Sequence, residues 1–242
     1  MALPSDDVLQ FSAKDLEREK LAALKQFAYG LSHEINNPLT NIATRAQMLL
    51  VDEKDPDRRK ALTTINAQAF RAFEMLADLM LFAHPPAPVI STFDLRELLQ
   101  RLLAEHSAAA EQQKTSLQLA SIPAEITTIT GDRTQLAVAI AAMLKNALEA
   151  VKTSGEIRLS VLKTQLTGDR AATEFSVADN GPGITPEVRR HLFDPFFSGR
   201  EAGRGLGLGL SKAYRIAEMH GGELRVQSQL GQGATFSLLI PQ

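Results

Sequence analysis

Residues 84–88 read His-Pro-Pro-Ala-Pro, and this run divides the chain. Each proline lacks a backbone N–H and fixes φ at about −65°, so three in so short a stretch end any helix and make a semi-rigid connector. The chain must therefore fold as two pieces. Before the run the apolar residues recur with a helical period; after it helical and strand periods mix. We place a leading segment over 1–20, a helical domain over 21–84, a proline hinge over 85–88 and a mixed domain over 89–242.

The first piece reads as two helices. Over residues 12–50, Leu24, Phe27, Leu31, Ile35, Leu39, Ile42, Ala46 and Leu49 recur at steps of three and four. Pro38 falls inside this pattern, where it removes one backbone hydrogen bond and should bend the helix. Asp52–Asp57 is a polar break containing Pro56. Leu62, Ile65, Ala69, Phe73, Leu76, Met80 and Ala83 then mark a second helix. Such a hairpin has a thin core of its own. Pairing two copies into a four-helix bundle buries both apolar stripes.

In the second piece, Val89–Phe93 reads as a strand and Asp94 caps a helix to about Gln113. Ser116–Leu119 and Ile126–Thr130 read as strands, and Asp132 opens a helix to about Lys152. Ile157–Gln165 and Thr173–Ala178 are strands joined by a turn at Thr167-Gly168-Asp169. Leu210–Met219 is helical, and Glu223–Ser228 and Ala234–Ile240 pair around Gly231-Gln232-Gly233. The elements do not alternate regularly, so an α+β arrangement fits better than a doubly wound parallel sheet.

Composition narrows the chemistry. There is no cysteine, which excludes disulfides and thiolate sites. A formal net charge of −2 gives no reason to expect nucleic acid as a partner. No apolar run reaches the ~20 residues of a membrane segment, and Met1–Gln10 lacks the pattern of a signal peptide. The expectation is a cytoplasmic chain, which also suits the soluble part of a membrane-bound receptor.

Four groups of residues carry chemistry. His33 lies off the apolar stripe with Glu34 beside it; a neutral imidazole is a nucleophile toward phosphorus, and a carboxylate can orient it and take its proton. A lone His-Glu pair is ordinarily a solvated helix surface, but Asn36-Asn37-Pro38-Leu39 follows this one. Asp179-Asn180-Gly181-Pro182-Gly183 ends a strand, where a carboxylate can accept a hydrogen bond from an exocyclic amine and glycine permits close backbone approach. Gly203–Leu210 alternates glycine with leucine into a helix start, which offers N–H donors and a favourable dipole to phosphate. It is neither a Walker loop nor a Rossmann fingerprint. Asn146, with Glu149 one turn later, could supply oxygen to Mg²⁺.

In this order the runs resemble the motifs of bacterial two-component sensor histidine kinases. Ser32–Leu39 resembles the H box, Lys145-Asn146-Ala147 the centre of the N box, and Asp179–Gly183 the first glycine box. Leu192–Phe197 resembles the F box and Gly203–Leu210 the second glycine box, and the closing strands also match. The resemblance implies a multidomain chain: an all-α hairpin that dimerises into a four-helix bundle, then an α+β sandwich that binds ATP, of the Bergerat or GHKL type. It implies that His33 receives the γ-phosphate of ATP, Glu34 assists as base, and Asn37 positions the site, also for dephosphorylation of the partner. Asp179 would bind adenine and Asn146 would hold Mg²⁺. Gly181, Gly183, Gly205, Leu206, Gly207 and Leu208 would line the nucleotide. The segment from about Thr185 to Gly203 would form a mobile lid, with Arg200 and Arg204 reaching phosphate. The partners implied are a second copy of the chain and the receiver domain of a response regulator. The leading segment would receive the signal.

One position departs from the family. Ala142 stands one turn before Asn146, where a second polar side chain usually supports the metal or reacting water. This leaves an alternative: a weak or inactive kinase that acts mainly as a nucleotide-binding, partner-binding or phosphatase module.

Overall fold

The computed structural model describes residues 13–120, 122–197 and 206–242; within the first helix several side chains, including those of Leu24, Phe27, Leu31 and His33, lie outside the description. The chain divides into two compact units, Met1–Pro85 and Pro86–Gln242.

The first unit is a helical hairpin of α1 (Ala13–Asp52) and α2 (Pro56–Ala83). Helix α1 continues through Pro38. The turn has a capping logic: the Asp55 carboxylate accepts the N–H groups of Asp57 and Arg58, at 2.9 and 3.1 Å, and Pro56 occupies the first helical turn. Arg59 reaches back to the carbonyls of Leu50 and Glu53, tying the loop to the end of α1. Small residues make the buried seam, with Ala28, Ala43, Ala46, Ala69 and Ala83 all covered. Larger members of the expected stripe stay in water: Ile42, Leu49 and Ile65 are exposed, with Met48, Val51 and Phe70 beside them in class. One facing helix covers only a narrow strip, so a single hairpin cannot bury a stripe as wide as this one.

The second unit holds β1 (Ser91–Asp94), α3 (Leu95–Gln112), β2 (Ser116–Leu119), β3 (Thr128–Gly131), α4 (Arg133–Val151), β4 (Glu156–Gln165), β5 (Ala171–Asp179), α5 (Pro186–Arg190), α6 (Gly209–Met219), β6 (Glu223–Ser228) and β7 (Ala234–Pro241). A five-stranded sheet runs β2-β4-β5-β7-β6, and β1 pairs with β3 in a separate ribbon. Only the β2–β4 pairing is parallel within the larger sheet. Ile157, Leu159 and Val161 alternate inward along β4, as the period of two requires. They meet Phe175, Val177, Phe236 and the inner faces of α3, α4 and α6 in one core. Helix α4 is long and apolar enough to cross a membrane by composition, but half of that stretch is buried inside the unit, where Leu136, Ile140, Met143 and Leu144 are core residues.

The strand expected over Val89–Phe93 begins only at Ser91, and Val89 and Ile90 are exposed. The strand expected from Ile126 begins at Thr128. Helix α5 was not expected from the apolar period because it is too short to show one, although Thr185 caps it and Pro186 opens it.

Asp132 shows how side chains set these boundaries. Its Oδ1 caps α4 by accepting the Thr134 and Gln135 N–H groups, both at 2.9 Å. Burial would raise its carboxyl, but N–H donors from Gln135, Val89 and Thr134, helped by the nearby His220 ring, hold it below the ordinary value. A carboxyl with a lower pKa folded than unfolded favours folding above the unfolded pKa, and that contribution is lost as pH falls through the folded one. Asp132→Asn should therefore destabilise the unit near neutrality and flatten the acid limb of its unfolding below pH about 4. Circular dichroism across an acid titration checks this, and parallel curves for variant and wild type would refute it.

Candidate functional site

The second unit builds a cleft along one face of α4. Ala142, Asn146 and Glu149 fall one turn apart on that helix. At one end, a Cβ placed on Gly209 would lie 4.0 Å from the Ala142 Cβ, so the start of α6 abuts this face. At the other, a Cβ on Gly181 would lie 3.3 Å from the Ala150 backbone carbon, so the turn after β5 abuts it too. Both glycine-rich segments therefore converge on α4, with Asn146 between them.

Asp179 is the last residue of β5 and is 8% exposed. Its Oδ1 accepts the Gly181 N–H at 2.9 Å. A side chain at 181 would press a Cβ to 2.8 Å from that same oxygen, so glycine there gives the carboxylate its place. The turn is held from several sides. The Asn180 Oδ1 accepts the Glu156 N–H at 2.8 Å, and the Pro182 carbonyl accepts the Gly231 N–H at 2.8 Å. Ile184 N–H donates to Ser228 Oγ at 2.9 Å, and that hydroxyl donates to the Gly233 carbonyl at 2.8 Å. Gly183 has φ +73° and leaves no room for a Cβ against the Gln229 carbonyl. The turn after β6 is thus the buttress of the Asp179 loop. Ser228 and Asn180 were not singled out in the sequence, where neither carries a signal beyond its neighbours.

The second glycine segment enters α6. Leu208 is buried as an anchor and Leu206 is half-buried. Gly207 has φ +67°, and a Cβ there would come within 2.5 Å of the Phe197 carbonyl. Helices α2, α3, α4 and α5 are each capped by a side chain, from Asp55, Asp94, Asp132 and Thr185. Helix α6 begins at Leu208 with no side-chain cap. Its first-turn N–H groups remain for an anion, and the helix dipole favours one there. Arg200, Arg204 and Gly205, expected near phosphate, lie outside the described residues.

The phosphoacceptor candidates lie in the other unit, on α1. Position 33 is within the helix, though the His33 side chain lies outside the description. Glu34, Asn37 and Pro38 are exposed. Asn36 is engaged locally, its Nδ2 donating to Ser32 Oγ at 3.2 Å and its carbonyl accepting from Thr40 Oγ at 2.8 Å. Pro38 has no N–H to give the Glu34 carbonyl, which loosens the helical ladder beside position 33.

The two units match two domain families separately. Residues 23–88 match the His Kinase A (phospho-acceptor) domain, and residues 131–242 match the Histidine kinase-, DNA gyrase B-, and HSP90-like ATPase family. The chain belongs to the sensor histidine kinases. This kinase chain is 32% identical over 225 residues to the signal transduction histidine-protein kinase AtoS of Escherichia coli (strain K12), covering 93% of itself and 36% of AtoS. It is 30% identical over 225 residues to sporulation kinase C of Bacillus subtilis (strain 168), covering 93% of itself and 50% of that relative. It spans half or less of the length of these curated relatives. The crystal structure of full-length ShkA in complex with AMPPNP superposes on the kinase with a TM-score of 0.77 at 26% identity, over 89% of this chain and 45% of ShkA. The nucleotide-free catalytic domain of the histidine kinase ThkA superposes with a TM-score of 0.54 at 25% identity, over 63% of this chain and 97% of that domain. The kinase core is therefore a phosphoacceptor hairpin followed by an ATP-binding α+β domain.

Proposed function

We propose that this chain phosphorylates its own His33 from ATP and passes the phosphoryl group to an aspartate on a response-regulator receiver domain in the cytoplasm. The reading rests on one observation: a phosphoacceptor helix with His33 and a nucleotide cleft centred on Asp179 occur in one chain. The Asp179 carboxylate accepts the exocyclic amine of adenine. The open first turn of α6 receives phosphate oxygens, and Leu208 fixes that turn to the core. An imidazole nitrogen of His33 attacks the γ-phosphorus in line, the bond to the ADP oxygen breaks, and Glu34 takes the imidazole proton. Asn37 sits one turn beyond position 33, where it orients the attacking group or, in the reverse task, the water that dephosphorylates the partner. Two hairpins pack as a homodimeric four-helix bundle and cover Ile42, Leu49 and Ile65.

The cleft also suits Mg²⁺ in the way that ion is usually held. Asn146 offers one amide oxygen and Glu149 one carboxylate on the same helix, and Mg²⁺ commonly keeps waters and phosphate oxygens besides one or two protein ligands. When bound, the ion would neutralise charge on the phosphates. Ala142 contributes no oxygen there. Restoring one with Ala142→Asn should raise the autophosphorylation rate about fivefold, the worth of one net hydrogen bond of about 1 kcal/mol. An unchanged or lower rate would show that the cleft works without a polar group at that position.

The test of the whole proposal is incubation with γ-labelled ATP and Mg²⁺. Label on the protein that is labile to acid and stable to base supports it. Bound nucleotide without protein label would overturn it in favour of a binding or phosphatase module.

A further inference from the structure

The proline run reads as a hinge over 85–88, but most of it is fastened to the second unit. The Pro86 carbonyl accepts a hydrogen bond from Gln135 Nε2 at 2.8 Å. The Val89 N–H donates to Asp132 Oδ2, also at 2.8 Å. Gln135 and Asp132 are 3% and 8% exposed, so both ties originate from side chains fixed in the first turn of α4. Asp132 divides its oxygens: Oδ1 caps the helix and Oδ2 takes the linker. Its own N–H donates to His220 Nε2 at 3.0 Å, and His220 Nδ1 lies 2.9 Å from the Ile216 carbonyl. This arrangement makes the ring a donor at Nδ1 and an acceptor at Nε2. The clamp is thereby braced against the end of α6.

The first unit holds its own side of the junction as far as His84. The His84 N–H donates to the Met80 carbonyl at 2.7 Å, and its ring stands edge-on to Tyr29 with centroids 6.1 Å apart. Between these fastenings only Pro85 remains, and its φ is fixed by its ring.

We infer that Gln135 and Asp132 are positioning residues that clamp the linker at Pro86 and Val89, reducing the free connection between the two units to the His84–Pro86 junction. A short tether keeps the effective concentration of one unit at the other high, and that concentration falls roughly as the −3/2 power of tether length. Releasing the clamp frees the chain to about Ile90 and lengthens the loose segment roughly threefold, from about two residues to about six. Local concentration should then drop about fivefold.

Two variants release the clamp while sparing the fold. Gln135→Leu keeps the buried volume and removes the donor; the Pro86 carbonyl, on an exposed residue, is left to water. Asp132→Asn keeps the Oδ1 cap but replaces Oδ2 with an NH₂ that cannot accept from Val89. Two measurements on the whole chain decide the matter. The first is hydrogen exchange at the Val89 amide, which does not depend on the kinase reading. Protection in the wild type that is lost in Asp132→Asn supports the clamp, and exchange at the unstructured rate in the wild type overturns it. The second rests on the proposed autophosphorylation: Gln135→Leu should lower kcat about fivefold with KM for ATP unchanged. Unchanged kcat, or a KM that rises in step, overturns the positioning role. If the wild type takes no label at all, the proposed function fails while the exchange result still stands or falls alone.

Discussion

His33→Ala removes all acid-labile label from the protein while ATP binds as before. The other four histidines offer no substitute. His84 caps α2 and packs on Tyr29, His106 Nδ1 is bound to the Leu102 carbonyl at 2.8 Å, His191 pairs with Asp194 at 2.7 Å, and His220 is held between Asp132 and Ile216. Alanine suits a helix at least as well as histidine, so α1 should persist and circular dichroism should not change. The affinity for a fluorescent ATP analogue should also be unchanged, because the cleft is built wholly within 86–242. Glu34→Gln separates chemistry from placement. It keeps shape and hydrogen bonding but cannot take the proton, so labelling should slow by about 10²–10⁴, the usual worth of a general base. Full-rate labelling of His33→Ala would move the phosphoacceptor elsewhere in the chain and refute the role given to α1.

What the sequence made legible is local. Asp94 and Asp132 read as caps and are caps, because an acceptor side chain before an apolar helical run acts within three residues. Strands β2 and β6 fall where expected, since their period and bounding turns are also short-range. The failures come from long-range partners. Val89 and Ile90 look like strand residues, but the Val89 N–H is taken by Asp132, forty-three residues away, which draws the backbone out of the ribbon. The glycines were read as room for a ligand, and several serve packing instead: Gly207 is forced by the Phe197 carbonyl and Gly183 by Gln229. The hairpin stripe was read as core, yet within one chain alanines form the seam and Ile42 and Leu49 face water. An apolar stripe records everything a helix buries in its working assembly, and a single chain shows only part of it. The site was legible as motifs in order, while the buttress from Ser228 and the linker clamp from Gln135 rest on single side chains whose spacing carries no pattern.

Asp179→Asn should weaken ATP binding by about 10- to 100-fold with the domain still folded, and labelling of His33 should fall in proportion at low ATP. The substitution is nearly isosteric. Asparagine can keep Oδ1 where it accepts the Gly181 N–H, so the turn retains the bond that shapes it. The cost falls on the other position, where the carboxylate presents an acceptor to the adenine amine and the amide presents a donor. A hydrogen bond to a charged group is worth about 1.5–3 kcal/mol, which is one to two factors of ten in affinity. The same inversion predicts a change in preference, because a 6-oxo purine offers an acceptor where adenine offers a donor. The ratio of ATP to GTP affinity should therefore fall further than ATP affinity alone. Calorimetric titration of both nucleotides into wild type and variant measures this. Equal losses for the two would mean that the carboxylate shapes the turn without reading the base. An unchanged ATP affinity would remove Asp179 from the nucleotide altogether and leave the open start of α6 as the principal contact.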